Sequence, residues 1–269
     1  MIDMPLTRYA CISLLFFFLL CFSKEPRVSI ITSVYKADQF IEGFLEDITR
    51  QTIFDQCELI LINAASPGNE EHIIQKYCAR YPNIMYRKLE YDPGLYAVWN
   101  LGVLLARAPY LTNANTDDRL RSDCYEKHVK ALDDHAEIGL VYSDFYVTYY
   151  PNETFDKFRC HHVRTMPAFT PQEILNQPLP NNHPMWRRSL HQQYGLFDES
   201  FAYSGDWEMW ARLVAFGVKF IKVPGVLSLY YYNPTGLSTN KIKKAAIDVE
   251  DAKVKEWYAK KIRLMNDVL

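Results

Sequence analysis

The strongest constraint in this sequence is an alternation. Short β-branched runs recur between longer stretches with helical apolar spacing. Val28-Ser29-Ile30-Ile31-Thr32-Ser33-Val34 is the first run and reads as a buried strand. Residues 37–51 follow, with Phe40, Ile41, Phe44, Leu45 and Ile48 on one helical face. Residues 58–63 repeat the strand pattern, and 69–81 form a helix that Pro82 ends. Residues 84–89 are a third strand. Residues 94–106 are helical, with Leu95, Val98, Gly102 and Leu105 on one face, and 110–114 are a fourth strand. This rhythm implies an α/β fold with a largely parallel sheet and helices on both sides. In such sheets ligands sit beyond the carboxyl ends of the strands. Asn63 and the cluster at 115–118 both lie at such ends.

The second half is less regular. It reads as a helix at 124–134, a strand at 138–145 and a polar mobile loop at 151–167. A helix at 209–216 precedes strands at 218–223 and 226–232. The tail, 241–269, is a charged amphipathic helix carrying Ile242, Ala246, Val249, Trp257 and Ile262. No repeat or low-complexity linker interrupts the chain. The expected organisation is therefore an apolar segment at 1–26, one domain at 27–235 and a helical tail at 236–269.

Composition excludes some classes of function. Hydrophobic residues make up 49% and charged residues 23% of the 269, so the chain can bury a core and is not globally disordered. Thirty Lys and Arg against 32 Asp and Glu leave a net charge of -2, which argues against a general nucleic-acid binder. The six cysteines include no CxxC pair, so neither a disulfide framework nor a zinc site is expected.

Residues 9–23 are uncharged and apolar, between Arg8 and Lys24. As a helix they would span about 22 Å at ~1.5 Å per residue, short of the ~30 Å hydrocarbon core. That length suits a signal-peptide core, with Cys21 and Ser23 small enough for a cleavage site. An uncleaved membrane anchor and an upstream start site are the alternatives. The expected location is accordingly membrane-associated or cytoplasmic, with a secretory signal left open.

Two motifs carry chemistry. In Asn115-Thr116-Asp117-Asp118-Arg119, adjacent carboxylates at a strand end suit a hard divalent cation bridging two phosphates. A turn with a helix-capping Asp gives the same pattern without function. In Ser204-Gly205-Asp206-Trp207-Glu208-Met209-Trp210, a carboxylate where the chain enters a helix suits a general base, and equally a plain N-cap. His183 can face a diphosphate or an acceptor, or simply satisfy a loop. Cys160, His161 and His162 are adjacent, so they read as loop surface rather than as metal ligands. Tyr230, Tyr231 and Tyr232 either stack on a sugar or cover a sheet face, and alternation along a strand favours the second.

Taken in order, five stretches resemble family 2 glycosyltransferases of the GT-A fold. They are 28–35, 59–63, Asp92-Pro93-Gly94-Leu95-Tyr96, 115–119 and 205–210, within a likeness covering about 27–232. The resemblance implies transfer of one sugar from a nucleotide-diphosphate sugar, with inversion. The acceptor is a glycan, lipid-linked or other hydroxyl, and Mn²⁺ or Mg²⁺ is the implied cofactor. It places Thr32, Val34, Tyr35, Asn63, Asn115 and Asp117 at the nucleotide, Asp117 and Asp118 at the metal, and Asp206 as the base. Two positions depart from the family pattern. Asn63 replaces the usual Asp that reads the base, and Asn115 stands first in the DxD element. Both changes bear on the donor more than on the fold. The Gln-x-x-Arg-Trp signature of processive synthases is absent, so single transfer is expected. A sugar-phosphate nucleotidyltransferase would want a glycine-rich phosphate loop, and 32–37 has no glycine. A catalytically weakened carbohydrate-binding protein is the other alternative.

Overall fold

The computed structural model describes residues 25–159 and 162–266. The apolar run at 9–23 lies outside them, as do Cys160 and His161. Among the described residues no helix is long and apolar enough to cross a membrane.

The first half follows the expected alternation. Strands β1 (Val28–Val34), β2 (Cys57–Asn63), β3 (Ile84–Lys88) and β4 (Tyr110–Asn113) alternate with helices α1 (Ile41–Thr49), α2 (Glu70–Arg80) and α3 (Leu95–Leu105). The sheet continues through β5 (Arg119–Leu120), β6 (Ile138–Thr148), β7 (His162–Arg164), β8 (Met185–Arg187) and β9 (Lys219–Tyr231). The other helices are α4 (Cys124–Asp134), α5 (Glu173–Asn176), α6 (Ser189–Tyr194), α7 (Gly205–Ala215) and α8 (Lys244–Asn266).

The strand order is β3-β2-β1-β4-β8-β6-β9-β5, with β7 on β6. Pairing is parallel from β3 to β4 and between β6 and β9, while β8, β5 and β7 run antiparallel to their neighbours. After β1 the chain moves outward through β2 and β3, then returns to lay β4 on the other side of β1. The carboxyl ends of β1 and β4 therefore flank the point where strand order reverses, which is where such sheets bind ligands.

Alternation along each strand splits the core between the two faces. Val28, Ile30 and Val34 join α1 and α4 on one face, while Ile31, Ile60 and Ile62 join α3 and α7 on the other. Gly102 brings α3 close to β1. A Cβ there would lie 2.3 Å from Ile31 Cγ2, so only glycine fits.

The short elements β5, β8, α5 and α6 have no counterpart in the sequence reading, and three further stretches differ from it. The polar loop at 151–167 contains β7, paired with β6. The two strands expected at 218–223 and 226–232 are one strand, β9. Its register against β6 shifts around Asp144, and Gly225 takes φ +98°, so a bulge absorbs Pro224. In the tail, Val254 and Ile262 face the core, whereas Val249 is 70% exposed.

Candidate active site

Strand β4 ends on a turn built around Asp118. Asp118 is 2% exposed. Its Oδ1 accepts from the Tyr231 N–H at 3.0 Å and its Oδ2 from Asn115 Nδ2 at 3.2 Å. Arg119 folds back beneath the turn, donating to the carbonyls of Thr116 at 2.9 Å and Asp118 at 2.6 Å. Gly43 on α1 makes room for that guanidinium, since a Cβ there would stand 2.7 Å from it. Asp47 on the same helix accepts from Leu120 N at 2.8 Å, and burial raises its carboxyl to about 6 against the pull of Arg119.

Asp117 is held more lightly. It is half-buried, and its Oδ2 accepts from Asn233 Nδ2 at 3.1 Å. Burial, then the charge of Asp118, raises its carboxyl to about 6. An electron-rich carboxylate held at a cost is suited to a cation. Asp117 and the exposed Asn115 amide fit the donor set of a hard divalent ion that takes its remaining ligands from phosphates and water. Asp118 does not fit that set as expected from the sequence. Both its oxygens are spent inside the protein, so its part is to hold the turn. Among the described residues no three His, Cys, Asp or Glu side chains converge as a metal cluster.

His183 lies behind the turn rather than in front of it. It is buried, takes φ +47°, and its Nε2 stands 3.4 Å from Asp118 Oδ2. Neither ring nitrogen has a hydrogen-bond partner among the described residues. His128 is buried with the same lack, and burial, then His183, lowers its imidazole to about 3.

The ends of β1 and β2 form the other wall. Thr32 and Val34 are fully buried, so they can border a nucleotide only through their main chain. The Tyr35 side chain is 44% exposed and available. Asn63 is 1% exposed. Its Oδ1 accepts from Ser66 N at 2.8 Å and its Nδ2 donates to the Tyr86 hydroxyl at 3.1 Å. The expected reading of a base by this side chain does not fit that engagement. Asn63 instead fixes the loop after β2. Ser66 then ties that loop to the one after β1, accepting from Lys36 N at 2.9 Å and donating to Glu70 at 2.7 Å.

Asp206 is the second residue of α7, and Ser204 is the N-cap. Its Oδ1 accepts from Trp207 N at 2.8 Å and from the Tyr96 hydroxyl at 3.2 Å. That hydroxyl also reaches the Tyr203 carbonyl at 2.8 Å. Gly205 admits the Tyr96 ring, because a Cβ there would lie 2.7 Å from it. Burial raises the Asp206 carboxyl above its ordinary value, Asp251 adds to the rise, and the bonds from Trp207 and Tyr96 oppose it. A carboxylate raised in this way is a stronger proton acceptor than an exposed one. Among the described residues no hydrogen bond joins this group to the Asp117 turn. Sequence reasoning missed Tyr96, Asn233 and Asp251 as partners of the acids. Each is distant along the chain, and none shows a local pattern that points to its acid.

Comparison with known proteins bears on the family and the fold. The family model for glycosyl transferase family 2 matches residues 29–189. EpsJ of Bacillus subtilis (strain 168), an uncharacterized glycosyltransferase, is 26% identical over 256 residues, 90% of this chain and 70% of EpsJ. The structure of S. aureus TarS 1-349 in complex with UDP-GlcNAc is similar at TM-score 0.66 and 14% identity, over 80% of this chain and 61% of that one. The mannosyltransferase PcManGT from Pyrobaculum calidifontis, in complex with GDP-Man and Mn²⁺, gives TM-score 0.66 at 17% identity, over 87% of this chain and 65% of that one. At these identities the two solved structures speak for the fold alone. The fold is that of a GT-A-type glycosyltransferase. The chain belongs to glycosyl transferase family 2.

Proposed function

We propose that this enzyme moves one sugar from a nucleoside-diphosphate sugar to an acceptor hydroxyl in a single inverting displacement. The observation that carries the reading is the Asp206 carboxylate at the start of α7, raised by burial and contacted by the Tyr96 hydroxyl. The acceptor hydroxyl gives its proton to Asp206 as its oxygen bonds to the anomeric carbon. The bond from that carbon to the diphosphate oxygen breaks, and the electron pair leaves with the diphosphate. Attack opposite the leaving group inverts the anomeric centre.

Asp117, with the Asn115 amide beside it, would hold Mn²⁺ or Mg²⁺. The cation supplies charge neutralisation to the leaving diphosphate. Asp118 keeps the turn in shape. The Tyr35 side chain and the main chain of Thr32 and Val34 border the nucleotide, and Asn63 sets the wall beside it. The catalytic domain runs over 27–235, followed by the tail at 236–269. The donors bound in the complexes of TarS and PcManGT support a nucleotide sugar here.

The test is turnover of UDP-, GDP- and dTDP-sugars, with and without Mn²⁺ and with glycan or lipid-linked acceptors. Metal-stimulated consumption of one donor with an inverted product is expected. No turnover of any donor, or a product with retained configuration, overturns the reading.

A further inference from the structure

The tail helix α8 carries acids on its inward face. Ile247, Asp251, Val254, Tyr258 and Ile262 follow one another at helical spacing, and Val254 and Ile262 are buried in the core. Glu250 adjoins this stripe and reaches across to the segment before α7. Its Oε1 accepts from Ala202 N at 2.8 Å. Its Oε2 accepts from Tyr203 N at 2.9 Å and from Ser204 N at 2.8 Å. Asp251 Oδ1 accepts from Ser204 Oγ at 2.6 Å. Phe201 packs edge-on against Trp257, ring centroids 5.7 Å apart.

Successive main-chain N–H groups converging on one anion are the usual way a chain binds a phosphate or carboxylate ahead of a helix. Here the chain supplies the anion itself, from 46 to 48 residues further on. Ser204 is the N-cap of α7, yet its side chain makes no capping bond within the helix; its hydroxyl donates to Asp251 on the tail helix. The start of α7 is thus held from outside. Tyr203 has its N–H on Glu250 and its carbonyl on the Tyr96 hydroxyl. Asp206 follows two residues after the last anchored position.

We propose that Glu250 is a positioning residue for Asp206, fixing 202–204 so that the carboxylate and the Tyr96 hydroxyl keep the geometry that receives the acceptor's proton. The proposal rests on Asp206 acting as the base. It gives the tail helix a part in turnover and none in donor binding. Misplacing a reacting group by about 1 Å is enough to cost roughly 100-fold in rate.

The test uses the full chain with Glu250→Ala, Glu250→Gln, Asp206→Asn and the double variant Asp206→Asn/Glu250→Ala. The readouts are kcat and donor affinity by calorimetry. Glu250→Ala should lower kcat by roughly 10- to 100-fold, with donor affinity within a few-fold of wild type. Glu250→Gln keeps one accepting oxygen and should fall between; it carries the comparison if Glu250→Ala does not fold. Once Asp206→Asn has removed the base, adding Glu250→Ala should cost little more. Unchanged kcat in the Glu250 variants overturns the proposal, as does donor affinity falling in step with kcat. So does a double variant that loses both factors in full. Near-normal kcat in Asp206→Asn itself removes the base, and with it anything for Glu250 to position. A slow Asp206→Asn beside a normal Glu250→Ala removes only the positioning role.

Discussion

The hydroxyl of Tyr96, at the start of α3, stands 3.2 Å from Asp206 Oδ1 at the start of α7. The same oxygen lies 2.8 Å from the Tyr203 carbonyl. A phenol has one proton to give and lone pairs with which to accept. With Asp206 ionised, Tyr96 can donate to it. With Asp206 protonated, as the proposed reaction would leave it, Tyr96 can turn to the Tyr203 carbonyl and accept from the acid.

Tyr96→Phe tests this exchange. The bond from Tyr96 lowers the Asp206 carboxyl, so its loss should raise that pKa. A base works only when ionised, so activity falls as pH drops through its pKa. The acid limb of the kcat profile should therefore move to higher pH in the variant, lowering kcat by about tenfold on the acid side of the profile. An unmoved limb would show that Tyr96 does not touch the working carboxylate.

Gly205→Ala approaches the same contact from the other side. Its new Cβ would meet the Tyr96 ring at 2.7 to 2.9 Å, so the ring must shift. Turnover should fall in the same direction as in Tyr96→Phe, and the melting temperature should fall as well. Wild-type kcat here would mean that the ring's position is immaterial to the reaction.

Asp206→Asn separates the proton acceptor from the helix start. The Asn oxygen can still accept from Trp207 N and Tyr96, and Ser204 remains the N-cap. The protein should fold and bind donor within a few-fold of wild type. Removing general-base catalysis should lower kcat by ~10²- to 10⁴-fold. Collapse of donor binding together with kcat would place Asp206 in the nucleotide site instead.

Asp117 predicts a pH-dependent effect of metal on stability. Its carboxyl is raised from 3.8 to about 6, so ionising it costs the folded state. The metal-free protein therefore loses stability from this group as pH rises through about 6. Asp117→Asn should melt higher than wild type at pH 8 without metal, and no higher at pH 4. Mn²⁺ needs the ionised form, so it should raise the wild-type melting temperature at pH 8 and far less at pH 5. Scanning calorimetry with Mn²⁺ and with EDTA reads both effects. An equal Mn²⁺ shift in wild type and Asp117→Asn puts the cation elsewhere.

Asn63→Asp gives an opposite kind of expectation. The side chain already serves Ser66 and Tyr86, so the change places a charge in a buried site. The melting temperature should fall by a few degrees, with the ranking of UDP-, GDP- and dTDP-sugars unchanged. A competition assay that turns toward uridine would return Asn63 to the role of base reader.

The first half of the fold was legible because its signals are local. Val28–Val34 and Cys57–Asn63 are rich in aliphatic residues buried on both faces, and α1 buries four of the five residues its spacing marked, with Phe40 buried just ahead of it. The short strands were not legible. Met185–Arg187 and Arg119–Leu120 are held by partners tens of residues away, and so brief a run carries no period to read. The site divided in the same way. The acids at 117, 118 and 206 stood out by type and by position at element ends. Their roles depended on contacts no local pattern encodes: Tyr231 and Asn115 on Asp118, Tyr96 on Asp206, Ser66 and Tyr86 on Asn63. Burial, which spends a polar group inward, was the missing variable at Asn63 and Asp118.

The anchoring of 202–204 by the tail helix also sets an order in time. Synthesis runs from the amino end, and earlier parts of a chain can fold before later ones exist. Strands β1 to β4, the proposed nucleotide wall among them, are all complete before residue 250 leaves the ribosome. A nascent or prematurely ended chain would then have the nucleotide half in place while the loop ahead of α7 still waited for its carboxylate. On this view the competence to hold a donor and the competence to spend it are acquired separately, the second with α8.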